Sequence, residues 1–466
     1  MRCAHLARGI IISAALVACG SPASDENTAA GPSNLDPAVT AADLAALAEL
    51  SPAVLPAPPA DISNRYADDP KAARLGQKLF FETAFSGKLI DGDNDGTVNA
   101  LGVKGQTGKV SCASCHVPEA GFLDNRTLGK QISLGAGWGL RRAPSLLDVG
   151  QASLLMWDGR HDTLYNQVFG PIESTVEMNS SRLYVARQMF ALYRADYEAV
   201  FGPMPALDDQ ARFPALSAEL TGCQPTTVDA EHACNGTKHG MPGDAAEFDR
   251  MAAEDQDAVT RVVVNFGKAV GAYQRLLNCG PSRFDQWLAG KSDALSFSEQ
   301  RGAAIFAGRG KCTGCHSGPF LSDQKFHNVG LKPGIVAVVF IDHDDPGAAA
   351  GLPTAIADPL NIRGKFSDGD DGRLPESVDA TTTTGAFRTP ALRCGARRPS
   401  FMHTGHVKTL TEVVNFFDRG GDPFGYLGKT ELVPLGLTAQ DKLDLVAFLG
   451  ALEGPGPAAE LLAPPR

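Results

Sequence analysis

The chain has 466 residues, with 42 Lys and Arg against 53 Asp and Glu, and a formal net charge of −11 at pH 7. That acidic balance excludes the basic footprint of a nucleic-acid binder and any polybasic membrane patch. Fifty Gly and 31 Pro announce a loop-rich molecule, and ten Cys need an explanation of their own.

Residues 1–18 read as a secretory signal: a short basic start, an apolar run and small residues before Cys19. The run is too short to stay in a bilayer as a span. Leu16-Val17-Ala18-Cys19 resembles a bacterial lipobox, which would make Cys19 the lipid-bearing first residue of a periplasmic protein, anchored by its lipid to the outer membrane. An ordinary cleavage site is the alternative. Residues 19–60 are rich in Ala, Pro, Ser and Asn with few large apolar residues, and are expected to form a flexible tether.

Cys112-Ala113-Ser114-Cys115-His116 is the c-type haem attachment pattern, and Cys312-Thr313-Gly314-Cys315-His316 repeats it. Two thiols add to the porphyrin vinyl groups, and the adjacent His becomes the proximal iron ligand. A zinc site would normally pair each Cys-x-x-Cys with a second Cys or His pair at a set distance. A His kept directly after the second Cys in both copies favours two covalently bound haems. Similar phrases precede the motifs, Arg74-Leu75-Gly76-Gln77-Lys78-Leu79-Phe80 and Arg301-Gly302-Ala303-Ala304-Ile305-Phe306. A Phe follows each, Phe122 and Phe320. One haem-binding unit is present twice.

The other cysteines fit an exported chain. Cys3 leaves with the signal, Cys19 takes lipid and four hold haem, which leaves Cys223, Cys234, Cys279 and Cys394 for two disulfides. The short spacing favours Cys223–Cys234, and Cys279–Cys394 follows. A helical stripe runs through Val259, Val262, Val263, Phe266, Val270 and Tyr273. Another runs through Leu443, Val446, Phe448, Leu449 and Leu452, behind a capping box at Thr438–Asp441. The expected fold is mainly α with minor β: two cytochrome c-like domains, 61–278 and 279–466, each with one haem.

The order of these motifs resembles the bacterial di-haem cytochrome c peroxidase and MauG superfamily over about residues 65–452. Further marks are Ala143-Pro144-Ser145-Leu146, Trp157-Asp158-Gly159-Arg160, Pro171-Ile172-Glu173 with Glu177-Met178, His327-Asn328-x-Gly330, and Phe387-Arg388-Thr389-Pro390. The segments Trp157–Gln167, Ile172–Ser181 and Arg397–Gly405 are similar to MbnH, a di-haem enzyme of methanobactin operons.

The resemblance implies a peroxide-dependent oxidoreductase in which hydrogen peroxide raises the haem pair to a high-valent state that oxidises a partner protein. For the MbnH type, the implied reaction is Trp to kynurenine on MbnP, a copper-binding protein. A plain peroxidase fed by a small cytochrome or cupredoxin is the alternative, and a non-enzymatic di-haem electron carrier is the third reading. By the same resemblance the haem at Cys112–His116 meets peroxide, Glu177 handles its protons, Gln167 orients it, and Trp157 relays electrons between the haems. No His lies between Phe122 and Leu140, so the first iron is expected to be five-coordinate. Phe417 stands where the second iron's sixth ligand belongs and cannot ligate. Met402 and His403 are the weak candidates, with His406 and His343 behind them, and an absent sixth ligand is a further reading. The family's calcium ion uses an Asn just before Ala-Pro. Arg142 occupies that place, and a cation is no calcium ligand. Asp91-Gly92-Asp93-Asn94-Asp95-Gly96 reads as a turn, since Gly102 stands at the acidic twelfth position.

Overall fold

The computed structural model describes residues 34–52, 54–126, 132–226, 234–332 and 345–466. The expected signal and the lipid-bearing Cys19 lie outside the described residues, as does His343. The molecule is mostly helical, with two short antiparallel ribbons among the described residues: Gly222–Gln224 with Thr237–His239, and Phe326–His327 with Phe387–Arg388.

Each half is built on one crossed helix pair. In the first, Pro70–Phe81 starts from Asp69, whose carboxylate accepts from Lys71 and Ala72, and has Pro70 at its first position, where no backbone donor is needed. It crosses Ala253–Gln274, whose expected stripe is fully buried, Val259 to Tyr273 at 0–1 % exposure. A Cβ on Gly76 would sit 1.9 Å from the carbonyl oxygen of Ala269, so only glycine permits the crossing. The second half repeats the device. Phe297–Ala307 and Ala439–Ala451 cross at Gly302, where a Cβ would lie 2.0 Å from the Asp444 carbonyl oxygen. The duplicated phrase thus carries, in each copy, the glycine at which its unit closes. The capping box at Thr438 and Asp441 is present. Leu443, expected in the core stripe, is 61 % exposed; Leu445 and Ala451 are buried in that face with Phe448 and Leu452.

The flexible tether needs correction. From about Leu35 the chain is packed, and residues Ala41–Ala48 form a helix closed by a reciprocal Thr40–Asp43 cap. Leu47 and Leu50, 0 % and 2 % exposed, lie in the second core with Phe284, Trp287, Phe306 and Phe448. Each such burial stabilises by roughly 2 kcal/mol. Asp36 accepts from Arg301 at 2.8 Å. The opposite end crosses the other way: Gln77 donates to the carbonyls of Glu460 and Ala463, and Tyr273 to that of Leu461. Each terminal segment therefore straps the haem unit built by the other half of the chain. The disulfides are Cys223–Cys234 and Cys279–Cys394, with Cα atoms 5.6 and 5.9 Å apart.

Candidate active site

Cys112–Cys115 is one helical turn, and the Cys112 carbonyl accepts the His116 N–H at 2.9 Å; the Cys312 carbonyl accepts that of His316 at 2.8 Å. All four thiols are free. His116 Nδ1 lies 3.1 Å from the carbonyl of Phe122, and His316 Nδ1 lies 2.8 Å from that of Leu321. A carbonyl can only accept, so Nδ1 carries the proton and Nε2 keeps its lone pair for iron. Burial holds both imidazoles below their ordinary pKa, in the neutral form a metal requires. Phe122 and Leu321 both have positive φ, 60° and 53°, which turns their carbonyls back on the rings. The structural partner of Phe122 is therefore Leu321, and the Phe122–Phe320 match is one residue out of register. Free thiols at this spacing, each beside a pinned imidazole with an available Nε2, fit two c-type haems.

Glu177 is half-buried, and its carboxylate lies close enough to Cys112 and Cys115 for its charge to disfavour their thiolates. Burial raises its pKa, opposed by Arg160 and a hydrogen bond from Ser174. The backbone is fixed from the other side, where Ala136 N–H donates to the Glu177 carbonyl at 2.7 Å. Gln167 aims elsewhere: its Nε2 is 3.8 Å from the Met156 sulfur, beside Trp157.

Trp157 is half-buried and is hydrogen-bonded to segments that lead to both attachment loops. Its indole N–H donates to the Arg142 carbonyl at 2.7 Å, two residues before Pro144, whose own carbonyl lies against the His116 ring. Its carbonyl accepts from Arg388 N–H at 2.8 Å, and the Arg388 side chain reaches Gln324, just past the second attachment loop. The His403 ring is 6.2 Å from the indole and stacks on Phe387 at 3.6 Å. Arg141 clamps Asp158, the residue after Trp157, to Asp345 at 2.5 and 2.6 Å. Neither Arg141 nor the Arg142 carbonyl had a signal in the sequence. Trp287 is a core residue, and Trp138 hydrogen-bonds Asp93, as their lack of a motif suggests.

Met402, at φ 65°, and His403 sit in the turn between Phe401 and Val407. Burial pushes His403 down to about 3, and its stack on Phe387 occupies one ring face. His406 shares a 2.5 Å hydrogen bond with Thr404, and Phe417 packs edge-on to Phe416. No sixth ligand is assigned. In the acidic turn, Asp91 and Asp95 accept from backbone N–H groups two residues on. Among the described residues no group of three or more His, Cys, Asp or Glu stands close enough to hold a metal ion.

Residues 70–293 match the family described as di-haem cytochrome c peroxidase. The methylamine utilization protein MauG of Methylorubrum extorquens is 27 % identical over 446 residues, covering 95 % of this chain and 94 % of that one. A cytochrome-c peroxidase, IdrP1, of Denitromonas iodatirespirans is 28 % identical, covering 89 % of each. A solved structure described as a MauG-like protein associated with microbial copper homeostasis superposes with a TM-score of 0.53 at 25 % identity, over 89 % of this chain and 96 % of that one.

Proposed function

Since the chain belongs to the di-haem cytochrome c peroxidase and MauG family, a family of peroxide-dependent oxidoreductases, we propose that it uses hydrogen peroxide to oxidise a partner protein at a distance. One observation carries the reading: the half-buried carboxylate of Glu177 lies near the first attachment loop, and Trp157 is tied through Arg142 toward that loop and through Arg388 toward the second. Bound haems would supply the redox chemistry. Glu177 takes a proton from one peroxide oxygen and returns it to the other, which leaves as water. Its raised pKa suits both halves of that task. Overall, peroxide takes up two electrons and two protons and becomes two waters, and the partner supplies the electrons. Trp157, held at both its indole N–H and its carbonyl, keeps one geometry between the loops. Glu177 is half-buried beside the first attachment loop, and in this reading the electrons travel through the protein while the partner stays outside.

The finer reading is a copper-binding partner of the MbnP kind, with a Trp oxidised to kynurenine. The likeness to the MauG-like protein associated with copper homeostasis supports it. Incubating the haem-loaded protein with peroxide and a secreted copper-binding neighbour should add mass to one Trp of that neighbour. If instead reduced cytochrome c or a cupredoxin is oxidised rapidly and no protein is modified, the chain is a plain peroxidase, the reading that the likeness to IdrP1 supports. Ferric protein without a high-spin signal, and unchanged by peroxide, would mean an electron carrier. Export and lipidation at Cys19 complete the proposal, and mass spectrometry of the mature N-terminus tests them.

A further inference from the structure

Three guanidinium nitrogens near Trp157 are buried without a hydrogen-bond partner: Nε and Nη2 of Arg142, and Nε of Arg398. Arg142 is 3 % exposed. Its Nη1 donates to the Ser400 carbonyl and its backbone N–H to that of His403 at 2.9 Å, so the side chain cannot swing away to water. Arg398 has one long bond, to the Ala391 carbonyl at 3.3 Å. The two are near enough that their charges oppose one another, and a guanidinium stays protonated at neutral pH.

The acids around them do not complete them. Asp124 pairs with Arg126 at 2.7 Å, and Glu453 accepts from the N–H groups of Ala396 and Arg397; Asp148 accepts from Cys279 N–H through Oδ1, while its Oδ2 is buried without a partner and makes no hydrogen bond to Arg398. His403 is held neutral by burial. Among the described residues no carboxylate forms an ion pair with Arg142 or Arg398. Two buried like charges with spare donors are costly unless an anion completes them. The chain's own cofactors bring such anions, because each porphyrin carries two ionised carboxylate arms. Arg142 is two residues from Pro144 at the His116 ring, a span of at most about 7 Å.

We infer that Arg142 and Arg398 are a receiving site for porphyrin carboxylates. Arg142 then serves two partners at once. Its guanidinium holds the porphyrin edge, while its carbonyl holds the indole N–H of Trp157. It is a positioning residue that fixes the relay against the cofactor. The inference rests on haem attachment and is independent of what the haems react with.

The test uses the full chain with both haems attached, confirmed by pyridine haemochrome, in wild type, Arg142→Gln, Arg142→Lys and Arg398→Gln. Spectroelectrochemical titration follows both reduction potentials from about pH 5 to about pH 9, a window that covers displaced carboxylate titrations. A carboxylate paired with a guanidinium stays ionised, so it should add no pH step to the wild-type potentials, and any step from Glu177 should be common to all four proteins. In the Gln variants one potential should drop, because a cation favouring the reduced haem is gone. It should also fall with rising pH as the freed carboxylate ionises. The resonance Raman propionate-bending band should shift in the same variants, and Arg142→Lys should restore most of the potential. Should Arg142→Gln fail to mature, the less buried Arg398→Gln carries the test alone. Unchanged potentials and an unchanged propionate band in the Gln variants would overturn the inference. So would wild-type potentials that track chloride concentration, since a free anion would then fill the site. Peroxide is never added, so failure of the peroxidase reading leaves the result intact.

Discussion

Replacing Glu177 by Gln keeps the shape of the side chain and removes its ability to take a proton. The carboxyl is half-buried beside the first attachment loop, and desolvation raises its pKa. A proton-transfer group of this kind is worth about a hundredfold to ten-thousandfold in rate, or about 3–5 kcal/mol at 1.36 kcal/mol per factor of ten. Stopped-flow absorbance of the ferric haem-loaded protein mixed with peroxide reads the step directly. In wild type the rate should fall as pH drops through the raised pKa of Glu177, above the ordinary carboxylate range, because the ionised form is the base. Glu177→Gln should be slow at every pH and lack that limb. Stability should move the other way. A carboxyl whose folded pKa is raised costs stability where it is ionised, so the Gln variant should melt no lower than wild type at neutral pH. A variant that reacts within twofold of wild type, with the same pH profile, would refute the proton role.

Trp157→Phe should keep both haems and the first reaction with peroxide, but slow oxidation of the donor or partner by about tenfold or more, a loss of at least about 1.4 kcal/mol; single-turnover kinetics separates the two steps. Asp368 takes hydrogen bonds from Arg65 and Lys268, which outweigh its burial and hold its pKa down at about 2. Asp368→Asn should cost about 1 kcal/mol at neutral pH after discounting the exposed Arg65. Because the folded pKa is depressed, that contribution should vanish in melts as pH falls from about 4 toward 2. Cys279→Ser/Cys394→Ser removes a bridge between residues 115 apart in sequence, and should lower stability by about 3–5 kcal/mol in denaturant unfolding.

What the sequence makes legible follows from how strictly the chemistry constrains it. The Cys-x-x-Cys-His pattern has a fixed spacing, so Cys112–His116 and Cys312–His316 stand out as candidate attachment sites without a structure. The helix Ala253–Gln274 shows itself because from Val259 on it is buried between Pro70–Phe81 and Arg182–Phe201, and its stripe is therefore complete. The helix Ala41–Ala48 was hidden for the opposite reason. Its few leucines look too sparse for a core, yet Leu47 and Leu50 insert into a groove formed by residues about 240–400 positions later. The equivalence of Phe122 with Leu321 depends on a backbone φ, which a match of aromatic letters does not record. The acceptor for the Trp157 indole is a main-chain carbonyl, and any residue at position 142 would supply one.

Duplication supplies two similar proximal turns, whereas the proposed reaction needs one haem to meet peroxide and the other to pass electrons. The difference must come from the segments between each attachment loop and its closing helix, and in the first half it narrows to one close contact. Residues 135–137 lie flat against 176–177, with Ala136 N–H on the Glu177 carbonyl and Gly137 N–H on that of Val176. A Cβ on Gly135 would sit 2.6 Å from the Glu177 carbonyl oxygen and 2.7 Å from that of Val176. Both obstacles are backbone, so they cannot swing aside as a side-chain tip would. Gly135→Ala must push the Glu177 backbone away from the first loop and break at least the 2.7 Å bond, at a cost of about 1–3 kcal/mol. It removes no titratable group, so stopped-flow should find a slowed peroxide step whose pH limb persists at a shifted position. That pattern differs from Glu177→Gln, where the limb is lost. If Gly135→Ala reacted at the wild-type rate with the wild-type limb, the placement of Glu177 by this contact would not be what makes the first haem unit unlike the second.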